Sequence, residues 1–296
     1  MKNKRNGILL LLLAGLLNGI LMTGCNPSDL SNGIRQIEEK KAEISENLDE
    51  VKDFSSQITG DISDLAERLQ KEYFGSTDNN VQTLPESSEF NYSQIPAFTD
   101  EPYVVVNNGI PWFTKEDLSA DAYESYSDLD SLGRCGVAEA MVGIETMPTE
   151  PRGKIGMIKP TGWQYAKYDS VDGKYLYNRC HLLGFQLTGE NANEKNLITG
   201  TRYMNVDGML PFENMIDDYI EESGNHVLYR VTPIFIGDEL VARGVLMEAQ
   251  SKEDDGAGIK FNVYCFNNQP GIEINYATGK SHLVGEVEED TSIPIN

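Results

Sequence analysis

Residues 8–22 are apolar almost without a break, and that run decides which part of the chain can enter a fold. Only Gly15, Asn18 and Gly19 interrupt it, and Lys2, Lys4 and Arg5 precede it. The run is short of the roughly 20 residues a membrane-spanning helix needs. A basic start followed by a short apolar stretch is instead the pattern of a secretory signal, which is removed and takes no part in the fold. The fold must therefore come from the residues that follow. The chain has 296 residues, 40% of them hydrophobic and 24% charged, so a sizeable core is within reach and a wholly disordered chain is excluded. Four cysteines in this length exclude a disulfide-dense scaffold.

The apolar run closes on Thr23-Gly24-Cys25, small residues ahead of a cysteine. This resembles a bacterial lipoprotein lipobox. It implies a signal peptide at 1–24, acylation of Cys25, and a lipid-anchored chain on the extracellular face of the bacterial cytoplasmic membrane. An ordinary secretory signal with a chance cysteine is the alternative.

From Ile34 onward a heptad can be read. One seam is Ile37, Ile44, Val51, Ile58 and Leu65; the other is Ile34, Lys41, Leu48, Ser55, Ile62 and Leu69. Apolar residues recurring every seven predict a coiled-coil stalk over 25–75, which would lift the downstream part from the membrane and could support self-association. A single amphipathic helix laid along the downstream domain satisfies the same stripe. Residues 76–100 begin with Ser-Thr-Asp-Asn-Asn and Leu-Pro-Glu-Ser-Ser and read as a flexible linker.

Residues 101–285 read as an α+β domain, with 286–296 an acidic tail. Tyr103–Asn107 is a strand ending at the turn signal Asn-Asn-Gly. Met204, Met209, Phe212, Met215, Ile216, Tyr219 and Ile220 recur at helical spacing, with a kink expected at Pro211. Strand-like runs follow at 227–232, 234–236, 240–248 and 259–266. Strands, a helix and further antiparallel strands define the class.

The candidate chemistry lies between Asn178 and Glu213. Only three histidines occur, His181, His226 and His282, and His181 alone sits among other functional side chains. A histidine titrating near 6.5 suits general-base work at neutral pH. Arg179, two residues before it, projects to the same side of a strand and can clamp a phosphate. An asparagine carboxamide oxygen is a hard ligand suited to Mg²⁺, which keeps most of its water. Asn205 is such a ligand, with Glu213 about two helical turns further along the same face.

The segment Asn178-Arg179-Cys180-His181-Leu182-Leu183-Gly184, followed by Asn196, Asn205 and Glu213, resembles the DNA/RNA non-specific endonuclease family. These are secreted bacterial and mitochondrial nucleases with a ββα-metal site. The resemblance spans roughly 100–282 and is strongest over 175–215. It implies a ββα-metal nuclease domain with an antiparallel sheet, His181 as general base, and Asn205 as ligand of Mg²⁺ or Mn²⁺. Arg179 and Glu213 would assist catalysis, Asn196 and Asn178 would support the site, and Arg202 and Lys195 would contact substrate. The substrate would be DNA or RNA, cut to leave 5′-phosphates. Two positions depart from the family pattern, where Asn178 replaces an aspartate and Cys180 a glycine.

Charge fits this only locally. The chain carries 24 Lys+Arg against 47 Asp+Glu, a net −23, so its whole surface cannot coat a polyanion. Between Glu150 and Asn205, however, eight lysines and arginines face five aspartates and glutamates. Nothing in that stretch shows the aromatic-basic interleaving that would specify sequence. Cys135, Cys180 and Cys265 allow at most one disulfide, with Cys135–Cys180 one candidate pair. Two other readings compete. One is a nuclease-like protein impaired at Asn178 and Cys180 that binds extracellular DNA at the cell surface; the other is a structural lipoprotein whose stalk binds a partner.

Overall fold

Three strands of seven or eight residues, buried along most of their length, build the core. In the computed structural model, which describes residues 55–74 and 81–286 together with Lys40 and Lys52, a six-stranded antiparallel sheet runs in the order β1-β8-β7-β6-β3-β2. The strands are β1 (Tyr103–Val105), β2 (Tyr123–Tyr126), β3 (Ala138–Val142), β6 (Val227–Ile234), β7 (Gly244–Ser251) and β8 (Lys260–Phe266). Two further strands, β4 (Tyr177–His181) and β5 (Leu197–Thr201), pair only with each other, as do β9 (Ile272–Ile274) and β10 (Ser281–Leu283). The apolar leader, Cys25, the heptad positions from Ile34 to Val51 and the tail beyond residue 286 lie outside the described residues. Among the described residues, no helix is long and apolar enough to cross a membrane.

Central β7 is buried along its whole length because both sheet faces are covered. One face carries Tyr229, Met247, Val263 and their cross-strand neighbours. The helix α2 (Leu210–Ser223), whose Phe212, Met215, Ile216, Tyr219 and Ile220 form one apolar stripe, packs on it. The opposite face carries Leu246, Tyr264 and Phe266, covered by Leu84, Phe90, Ile95 and Trp112. Side chains alternate across a strand, so one strand serves both layers.

Two expectations change here. From residue 61 onward the apolar stripe finds its partner in the domain itself. In the helix α1 (residues 55–74), Leu69 is fully buried and Leu65, Tyr73 and Phe74 pack on the same core. Phe74 lies 4.7 Å from Phe212 between ring centroids, and Tyr73 donates to Asp218 on α2. A seven-residue period specifies an apolar stripe, not what covers it; from residue 61 the single amphipathic helix is what forms. Nor are residues 81–95 a free linker. Leu84 N–H donates to Val105 C=O at 2.8 Å and Trp112 Nε1 donates to Ser87 C=O at 2.9 Å. The polar composition of this segment hid its four apolar anchors, Leu84, Phe90, Tyr92 and Ile95.

Strands expected on either side of Pro233 form one continuous β6. The expected kink at Pro211 takes the form of a wide π-type turn, Met204–Met209, which gives way to α-helix at Leu210. Pro211 then occupies the first helical turn, where a missing N–H costs least.

The docking of α1 predicts a contrast. Leu69→Ala should lower stability by about 2–5 kcal/mol in urea unfolding. Ile58→Ala, on the same helix but 42% exposed, should change it by less than about 0.5 kcal/mol. Equal effects would contradict the docked helix.

Candidate active site

The site is a ββα unit bolted to the main sheet. β4 and β5 pair antiparallel, with Tyr177 opposite Thr201, Arg179 opposite Thr199 and His181 opposite Leu197. The buried Asn267 side chain fixes β5. Its Nδ2 donates to Thr199 C=O at 3.0 Å and to Ala242 C=O at 2.9 Å, and its Oδ1 accepts from Thr201 N–H at 2.8 Å. Thr201 Oγ1 then accepts from Met204 N–H at 3.0 Å, starting the helical turn that carries Asn205. Leu210 N–H reaches back five residues to Asn205 C=O, the wide turn's spacing.

These elements enclose a cleft of about 590 Å³ lined by Arg152, Arg179, His181, Arg202, Asn205 and Glu213, among others. Three arginines face a single carboxylate, so the cleft is electropositive on a chain of net −23. His181 is buried at the end of β4. Its Nε2 lies 2.8 Å from Asn191 C=O, which can only accept, so Nε2 carries the proton and Nδ1 the lone pair. Arg152 Nη2 lies 3.2 Å from that Nδ1. Burial lowers the His181 pKa; the Asn191 carbonyl raises it and the Arg152 charge lowers it further.

Glu213 is buried on the cleft wall, and burial pushes its pKa up to about 8, against the Gly184 backbone and Arg152, which lower it. Its Oε1 has no hydrogen-bond partner. A β-carbon at Gly184 would lie 2.8 Å from the Glu213 carboxyl carbon, so glycine is needed there to admit the carboxylate. The Asn205 carboxamide also makes no hydrogen bond among the described residues. Two unpartnered oxygen donors lining one cleft fit a hard divalent cation. Among the described residues no group of three or more His, Cys, Asp or Glu is placed to hold a metal. A cation here would therefore rest on few protein oxygens and its own water.

The cleft thus brings together His181, Arg179, Asn205, Glu213, Asn178 and Arg202. Arg179 is partly engaged, since Nε donates to Ile158 C=O, Nη2 to Gly156 C=O at 2.9 Å, and the guanidinium lies 4.1 Å over Trp163. Asn196 is fully buried and grips Leu183 through both backbone groups, at 2.9 and 3.0 Å, holding the turn after His181. Arg202 pairs with Asp172 at 2.8 Å. Lys195 does not line the cleft; it pairs with Asp128 at 2.6 Å, because its short helical turn points away. Arg152 was not foreseen, as it lies in a Pro-Gly loop with no periodicity and meets His181 across 29 residues.

Cys180 sits in regular strand backbone without positive φ, so this position does not require glycine. Its side chain packs against Gly200, where a β-carbon would come within 2.7 Å of the Cys180 β-carbon. The candidate Cys135–Cys180 pair does not form. Cys135, Cys180 and Cys265 are all free and buried, and burial raises each thiol pKa.

Comparison with known proteins gives residues 114–253 a family. A family model for DNA/RNA non-specific endonucleases matches residues 114–253, which include Arg152, His181, Asn205 and Glu213. Residues 114–253 are a DNA/RNA non-specific endonuclease domain. A deoxyribonuclease of Streptococcus dysgalactiae subsp. equisimilis is 36% identical to the chain over 118 residues, 38% of this chain and 34% of that protein. The chain thus matches about a third of that relative's length. The endonuclease domain shares its fold with NucA from Streptococcus agalactiae, solved with no metal bound. The TM-score is 0.55 at 24% identity, over 65% of this chain and 92% of that one. The Sda1 nuclease, solved with a bound zinc ion, gives 0.51 at 24% identity, over 63% and 97%.

His226 and His282 lie outside the cleft. His226 bridges Glu253 at 2.7 Å and Glu145 at 3.0 Å, and the Glu145 hydrogen bond, ahead of the Glu253 one, raises its pKa. Two histidines should therefore separate by NMR titration, His181 below about 6.5 and His226 above it. The His226 stabilisation is present below the unfolded value and is lost as pH rises through the raised folded value. The reverse order of titration would contradict both environments.

Proposed function

We propose that the chain is a metal-dependent, sequence-non-specific endonuclease that hydrolyses phosphodiester bonds of DNA. The observation that carries this reading is the convergence of a histidine with a defined lone pair, three arginines and two unpartnered oxygen donors in one cleft. The similarity to a deoxyribonuclease supports DNA as substrate.

His181 acts at Nδ1. Asn191 holds the Nε2 proton, fixing the ring and its tautomer. In the free protein Arg152 donates toward Nδ1. A bound phosphodiester offers Arg152 an anionic acceptor in place of a neutral ring nitrogen, which is the stronger partner. Its guanidinium then serves the phosphate, and the Nδ1 lone pair is open to water. Nδ1 takes the proton as the water oxygen bonds to phosphorus and the bond to the 3′ oxygen breaks. The neighbouring Arg152 charge keeps the ring neutral beforehand and favours release of the proton afterwards.

Arg179 supplies a further cation near the phosphate while holding the 156–158 loop. Asn205 would hold the divalent cation directly, with Glu213 orienting its water. When bound, Mg²⁺ or Mn²⁺ supplies charge neutralisation at the phosphorus oxygens and the leaving oxygen. Contacts to phosphate alone carry no base readout and are salt-sensitive. RNA presents the same backbone and is a second substrate on this reading. The lipobox at Cys25 would place the activity on the outer face of the membrane.

On this reading both departures from the family pattern are compatible with activity. Asn178 and Cys180 both line the cleft, and the Cys180 side chain is buried in the core cluster.

His181→Ala should lower cleavage of plasmid DNA in Mg²⁺ by at least about 100-fold, with the melting temperature preserved. Asn205→Ala should lose activity and the response to added Mg²⁺ together. Undiminished turnover in His181→Ala would refute the assignment.

A further inference from the structure

One side of the cleft carries an aromatic surface that the hydrolytic chemistry does not use. Lys167 and Tyr175 form an antiparallel bridge, with Leu176 N–H donating to Ala166 C=O at 3.1 Å and Tyr168 N–H to Lys174 C=O at 2.9 Å. Continuing that register sets Tyr165 opposite Tyr177 and Trp163 opposite Arg179. The side-chain contacts agree. The Arg179 guanidinium lies 4.1 Å over Trp163 and Lys167 Nζ 4.4 Å over Tyr175, while Trp163 meets Tyr165 edge-on at 6.0 Å. Cross-strand neighbours on one face form a ladder of rings and cations. The sequence therefore does interleave aromatic and basic residues, at alternate positions 163–167 and 175–179.

Two of these rings face solvent. Tyr165 is 74% exposed and Tyr175 48%, and neither hydroxyl makes a hydrogen bond among the described residues. Both line the cleft that holds His181 and Asn205. An exposed ring with no polar partner and a cation beside it offers a flat surface to another π-face. Nucleobases present such faces only when unpaired and unstacked, since in a duplex both faces are covered by neighbours.

We propose that Tyr165 and Tyr175 are a stacking platform for unpaired bases flanking the scissile phosphate, so that this site favours single-stranded nucleic acid over duplex. The inference rests on the nucleolytic reading of the same cleft. Lys167, Arg179 and Arg202 follow the backbone while the rings take the bases. Stacking tolerates any base, so the platform adds strand-state selectivity without sequence selectivity.

The test measures binding and cleavage separately. Affinity of the whole chain in chelator is measured for a labelled mixed-sequence single strand and for the duplex of the same sequence. The single strand should bind more tightly. Tyr165→Ala and Tyr175→Ala should each weaken it about tenfold and leave duplex binding unchanged, whereas Phe at either position should retain wild-type affinity. A single strand with abasic sites should lose the same factor on the native chain and nothing further on the Ala variants. Equal loss on both substrates, or no loss on the single strand, overturns the proposal. Cleavage of the same oligonucleotides in Mg²⁺ then tests the nuclease reading alone. Ring-dependent binding without cleavage would sink that reading and keep this one; cleavage without ring dependence would do the reverse.

Discussion

The buried carboxamide of Asn267 is the constraint on which the site depends. β4 and β5 share no ladder with the main sheet. One side chain ties β5 to the domain by satisfying the backbone of Thr199, Thr201 and Ala242 at once. Those groups are enclosed, and each buried polar group left unpaired costs about 1–3 kcal/mol. The bolt therefore holds β5 in register with the domain. Thr201 passes that position to the wide turn bearing Asn205, and the β4–β5 ladder passes it back to His181.

From that frame the electrostatics follow. The chain is strongly acidic as a whole, yet its cleft presents arginines. Burial works on two groups in opposite senses. It keeps His181 neutral and ready to accept a proton, and it leaves Glu213 wanting a partner for its orphaned oxygen. A divalent cation and a phosphodiester would meet complementary needs in the same place. Gly184 and Asn196 shape the turn between the two residues, one by having no side chain and the other by gripping Leu183.

Much of this was legible in the sequence because the chemistry is compact along the chain. Arg179, His181, Asn205 and Glu213 span one ββα unit, so their types and spacings alone bring them to one cleft. Arg152 and Asn267 were not legible, since each acts through a contact between distant segments and neither sits in a periodic pattern. The heptad of α1 was visible as a stripe, but periodicity is silent on whether a second helix or a sheet receives it. Lys195 shows the same limit for charge: a local count of basic residues gives no direction, and this one turns toward Asp128. Cys180 looked like a loss because glycine can signal special backbone. The strand there is ordinary, and the space the thiol needs is supplied by Gly200.

The central claim is that Asn205 and the residues around it receive one divalent cation within reach of His181. Anomalous diffraction from crystals grown with Mn²⁺ tests this most directly. The account predicts a peak in the cleft bonded to the Asn205 carboxamide oxygen, absent in Asn205→Ala. Manganese bound elsewhere on the domain, or a cleft that stays empty at saturating Mn²⁺, would contradict it.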